Sequence, residues 1–119
     1  MDYQRTHYKK IYKRIREKRK FLQVMLGARQ VGKTTLVRQL MKEYKYPSEY
    51  VTADNESSPL WLEQIWQSAR LKLNSSDAKE HLLIIDEIQK IKNWSEVVKK
   101  YWDEDSYRET YLKVILLGS

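Results

Sequence analysis

Gly27-Ala28-Arg29-Gln30-Val31-Gly32-Lys33-Thr34 fits the pattern G-x-x-x-x-G-K-[ST] at every fixed position. Its flanks fit too, since a compact apolar stretch at residues 21–26 precedes it and a helical pattern comes after it. Each fixed residue has a physical reason. Gly27 lets the chain turn sharply off a strand, and Gly32 lets backbone pass close to a phosphate where a Cβ would intrude. The successive N–H groups, backed by the positive end of a helix dipole, form an anion nest. Lys33 adds a point charge for the β/γ-phosphates of a nucleotide, and the Thr34 hydroxyl is a hard oxygen suited to Mg2+. Ala28, Arg29, Gln30 and Val31 complete the nucleotide-binding loop; the Arg29 side chain either touches a phosphate or a partner subunit or, the favoured reading, faces solvent as Gln30 does. Thr35 comes next and reaches toward the α-phosphate or serves helix packing.

Moving outward, Leu82-Leu83-Ile84-Ile85-Asp86-Glu87 places Asp86 53 residues beyond Lys33. An apolar run of this kind is a strand buried on both faces, and it delivers two carboxylates at its C-terminal end. On this reading Asp86 holds Mg2+ through a coordinating water, and Glu87 orients or deprotonates the water that attacks the γ-phosphate. Lys33 belongs with Glu87 among the catalytic candidates.

The rest of the chain alternates strand and helix signals, the pattern of an α/β fold with a parallel sheet. Tyr8, Ile11, Tyr12 and Ile15 predict a helix over residues 5–18. A helix over residues 33–44 carries Leu36, Val37, Leu40, Met41 and Tyr44 on its inner stripe. Residues 49–53 read as a second strand. Ser58 and Pro59 open a helix with Leu62, Ile65, Trp66, Ala69 and Leu73 inside, and residues 74–77 read as a loop. Asn93 and Glu96 resemble a capping box for a helix whose inner face is Trp94, Val97, Val98, Tyr101 and Trp102. Residues 114–117 form the last strand. Trp66, Trp94 and Trp102 are core positions on this reading, while Trp61 is expected to be exposed. His7 and His81 lack metal-ligand spacing, so no metal is assigned to them.

Three stretches together resemble the AAA-superfamily ATPases often called archaeal-type. They are residues 27–35, the run Asp86-Glu87-Ile88-Gln89-Lys90-Ile91-Lys92-Asn93-Trp94, and Leu117-Gly118-Ser119. The resemblance spans about residues 20–119. It implies a P-loop NTPase fold in three α/β/α layers, with a parallel sheet of the additional-strand type. The fourth strand is then inserted between the P-loop strand and the strand ending at Asp86. It also implies ATP and Mg2+ as ligands, hydrolysis coupled to a conformational change, and a polar sensor at the tip of the inserted strand. Ser119 is the polar candidate there, although the threonine common at this tip is absent. Family members continue for a few hundred residues, so the expectation is a partial core of about four strands (residues 20–119) behind a basic helix (residues 1–19). Such a core, without a cationic finger, is expected to turn over slowly if at all. Its P-loop strand is left at a sheet edge, where unpaired backbone groups favour self-association, hence a homo-oligomer.

Composition sets the remaining bounds. The absence of cysteine removes disulfide frameworks and thiolate metal sites. No apolar run approaches membrane-spanning length, and the charged start does not look like a secretory signal, so a cytoplasmic protein is expected. Nine Lys or Arg against two acids in residues 1–20 account for the whole net charge of +7. That segment is either a solvated helix face or a surface for nucleic acid, and the second option leaves a nucleotide-switched regulatory or nucleic-acid-binding protein as the alternative function. A GTPase is disfavoured, because no Asn-Lys-x-Asp base reader is present and Asp86 is not followed by x-x-Gly. A small-molecule kinase does not need the glutamate beside Asp86.

Overall fold

The computed structural model describes residues 9–10, 12–13, 22–25 and 33–118, with backbone alone at 25, 33 and 34. In chain order the elements are β1 (Gln23–Met25), α1 (Lys33–Glu43), β2 (Ser48–Thr52), α2 (Pro59–Ser75), β3 (His81–Asp86), a 3-10 turn (Ile88–Lys90), α3 (Trp94–Tyr107) and β4 (Leu112–Leu117). Of the helix expected over residues 5–18, Lys9, Lys10, Tyr12 and Lys13 are described, and all four are helical. The rest of that basic segment lies outside the described residues.

β3 and β4 are buried at every position, as strands covered by helices on both faces must be. Successive side chains of a strand point to opposite faces, and the core divides accordingly. Leu83, Ile85, Val114 and Leu116 pack with Leu62, Trp66 and Ala69 of α2 and with Val98 and Tyr101 of α3. Leu82, Ile84, Ile115 and Leu117 pack with Val37 and Leu40 of α1. The result is the three-layer α/β/α arrangement. Each fully buried Leu or Ile stabilises the fold by roughly 1.5–3 kcal/mol, so β3 and β4 are the anchor of the sheet. β1, three residues long, contributes far less.

The sheet is parallel throughout and runs β1-β4-β3-β2. β4 therefore sits between β1 and β3, as the additional-strand expectation required. β1 is an edge strand among the described residues, and Val24 on it is 43% exposed.

Three local expectations need correction. Asn93 does not form a capping box: it adopts a left-handed conformation (φ 56°) and its side chain makes no capping hydrogen bond. A capping residue needs extended backbone, and here the preceding 3-10 turn dictates the entry angle instead. Asn74 and Ser75 belong to α2 rather than to a loop, because the helix continues until the Ser76 N–H turns back to the Leu73 carbonyl. Trp61 is not exposed but half-buried against the core beneath α2 and α3. At the start of α2 the expectation holds, since Ser58 accepts from the Leu60 N–H at 3.1 Å and Pro59 takes the first turn.

Charged side chains at the N-terminal end of the sheet are paired off. Lys113 lies 2.9 Å from Glu80, which also accepts from the Tyr44 hydroxyl at 2.7 Å. Burial and this contact push the Tyr44 ionisation far above the ordinary tyrosine range. His81 lies 2.7 Å from Glu49, which in turn faces Lys72 at 3.2 Å. No helix among the described residues is long and apolar enough to cross a membrane.

Candidate functional site

Parallel strands end on one side of a sheet, and the register fixes what meets there. Asp86 on β3 is level with Thr52 on β2; Ile85 is level with Leu116, and Leu117 with Met25 on β1. Asp86, Leu117 and Met25 thus form one row at the C-terminal ends of their strands. With strand spacing of about 4.8 Å, Asp86 and the end of β1 stand about 10 Å apart across the sheet. Seven residues, 26–32, then connect Met25 to the first residue of α1, Lys33.

Parity also gives Asp86 a direction. It shares a face of β3 with Leu82 and Ile84, the face that packs on α1. Asp86 is 9% exposed. The Tyr50 hydroxyl donates to its Oδ2, and the Glu87 N–H donates to its Oδ1 at 2.8 Å. Burial and the bond to Asp86 push the Tyr50 ionisation well above the ordinary tyrosine range, so the hydroxyl is a donor at neutral pH. Tyr50 pairs with Ile84 in the β2–β3 register. It therefore lies on the same face as Asp86, two residues nearer the strand start.

Glu87 has φ 58°, a left-handed conformation that costs a residue with a Cβ about 1–2 kcal/mol. The cause is the packing of the next turn. The chain must bend sharply off β3 so that Ile88 and Ile91 plug the core, and they are 0% and 1% exposed. The Glu87 carboxylate accepts from Gln89 Nε2 at 2.8 Å and lies 4.0 Å from Lys90 Nζ. Lys90 also pairs with Asp54, in the loop after β2.

The structure thus sets Asp86 and Glu87 at the end of β3, with Asp86 on the sheet face that packs on α1. Thr35 is exposed in the first turn of α1. Gly27, Ala28, Arg29, Gln30, Val31, Gly32 and Ser119 lie outside the described residues, as do the side chains of Lys33 and Thr34. Gly118, just before Ser119, is buried at the tip of β4. The amino-acid pattern alone gave no role to Tyr50, Gln89, Lys90 or Asp54. For Gln89 and Lys90 the signal was present in the run after Asp86. For Tyr50 it was not, because only the strand register puts its hydroxyl on Asp86.

Asp86 presents a buried carboxylate, a hard-oxygen donor. Mg2+ prefers such ligands and takes few of them from protein, the rest being waters and phosphate oxygens. Among the described residues no group of three or more His, Cys, Asp and Glu is arranged to hold a metal ion. Mg2+, which takes few ligands from protein, does not require one.

Compared with known proteins, residues 19–119 match a family model described as an AAA domain. No curated protein matches the chain. The match is to the AAA domain as such, and the narrower archaeal-type grouping finds no support in it. Strand order, strand-end carboxylates and this match agree: the chain belongs to the AAA domain family of P-loop ATPases.

Proposed function

We propose that this chain binds Mg-ATP at the C-terminal ends of β1, β3 and β4 and that, in a complete ATPase, the site hydrolyses it to drive a conformational change. The observation that carries this reading is the register that sets Asp86 level with the end of β1, on the sheet face covered by α1. In this reading the N–H groups of residues 27–35 hold the phosphates, and Lys33 neutralises the β/γ end. Mg2+, when bound, supplies charge neutralisation between the phosphate oxygens. Thr34 holds it directly and Asp86 holds it through a water. Glu87 orients or accepts the proton of the attacking water once its carboxylate turns from Gln89. Ser119, at the tip of the inserted strand, is the sensor candidate.

The direct test is Lys33→Ala. Losing a charge-assisted hydrogen bond of about 1.5–3 kcal/mol lowers Mg-ATP affinity by about 10–100-fold. Titration with a fluorescent ATP analogue measures it, and equal affinity in mutant and wild type refutes the assignment.

A further inference from the structure

Tyr50 stands on β2, outside both motifs. It is 41% exposed, yet its hydroxyl is committed to a buried carboxylate. Asp86 receives donors on both oxygens, the Tyr50 hydroxyl on Oδ2 and the Glu87 N–H on Oδ1. Two donors on opposite oxygens define the carboxylate plane, because rotation about Cβ–Cγ breaks both bonds. A carboxylate has about four acceptor sites, and these two donors fix the orientation in which they are presented. The Glu87 N–H is supplied by a left-handed turn that core packing of Ile88 enforces. The second donor comes from a different strand. Its reach depends on the parallel register that pairs Tyr50 with Ile84 and Thr52 with Asp86.

We propose that Tyr50 is a positioning residue for magnesium: its hydroxyl holds the Asp86 carboxylate in the orientation that receives a water of Mg2+ bound with the nucleotide. This rests on the Mg-ATP reading above and adds to it a residue from neither motif. Groups that orient metal ligands from behind change metal affinity by about 10–100-fold when removed. The Tyr50 hydroxyl, acting on a ligand that itself works through water, belongs at the lower end.

The experiment is a Mg2+ titration of the binding of a fluorescent ATP analogue to the 119-residue chain, with a parallel titration in EDTA. Tyr50→Phe keeps the ring and removes the hydroxyl. The Mg2+ concentration for half-maximal enhancement rises about tenfold, while affinity in EDTA and the melting temperature stay close to wild type. In an Asp86→Asn background, Tyr50→Phe produces no further loss, because the hydroxyl acts through that carboxylate. An unchanged Mg2+ midpoint overturns the proposal, as does an equal loss with and without Mg2+, or a full additional loss on top of Asp86→Asn. Those failures leave wild-type Mg-ATP binding intact. A wild-type chain that binds no nucleotide, or binds it without regard to Mg2+, instead overturns the underlying reading together with this one.

Discussion

Glu87 combines a backbone conformation suited to glycine with a carboxylate at the strand end. Strain of this kind persists only where the surroundings impose it, and it gathers at functional positions. Two substitutions separate the backbone from the side chain. Glu87→Gly relieves about 1–2 kcal/mol of left-handed strain and adds about 0.5–1 kcal/mol of glycine entropy. The expected outcome is no loss, and a gain of up to about 1.5 kcal/mol, in urea unfolding. Glu87→Gln keeps the strain, so its urea midpoint stays near wild type and Mg-ATP still binds. With Glu87 in its proposed role as base, hydrolysis by a complete ATPase carrying this substitution drops by about 10²–10⁴. A Gln variant that hydrolyses at the wild-type rate removes Glu87 from the chemistry.

Among the ties between α2 and α3, beside their apolar packing, is one buried carboxylate. Asp105, 1% exposed, lies 2.7 Å from Arg70 Nε as a charge contact rather than an aligned hydrogen bond, and accepts from Trp66 Nε1 at 2.8 Å. Arg70 also donates to the Tyr101 carbonyl at 3.0 Å and to Glu104 at 3.3 Å. Removing one partner of a buried ion pair costs about 3–5 kcal/mol. Because Arg70 keeps its other acceptors, Asp105→Ala is expected at the lower end, about 3 kcal/mol by urea denaturation. A loss below about 1 kcal/mol, the range of an exposed pair, shows that the tie contributes little. Apolar spacing in α3 pointed to its inner face, which holds buried Val98 and Tyr101 and half-buried Trp94, Val97 and Trp102. It gave no sign of the tie, since Arg70 and Asp105 lie on different helices and each reads alone as a solvated charge.

Across the sheet, stability depends on strand position. β3 and β4 have a strand on each side and helices above and below, whereas β1 is short and, among the described residues, has β4 as its only neighbour. Opening free energies run from near zero at edges up to the global value in the core. Amide hydrogen exchange is therefore expected to be slowest at residues 83–85 and 114–116, and faster at Gln23, Val24 and Met25 by several orders of magnitude. Protection of β1 equal to that of β3 contradicts this ranking and marks β1 as covered on both sides.

The positions of the strands and helices were legible because each must bury a regular stripe, and a stripe of period 2 or 3.6 is written in the chain. The row of residues 82–87 could be read as a buried strand ending in carboxylates for the same reason. The order β1-β4-β3-β2 came from resemblance, as periodicity carries no information about neighbours. Folding alone fixed what depends on register and on competition for the core. Tyr50 meets Asp86 because two parallel strands align 36 residues apart in sequence. Glu87 is left-handed because Ile88 must reach the core, which overrides the preference of a glutamate. Asn93 loses its capping role to the turn before it, and Trp61 gains cover from its neighbours. Local chemistry wrote the elements, and long-range packing, whose partners are scattered along the chain, set how their side chains meet.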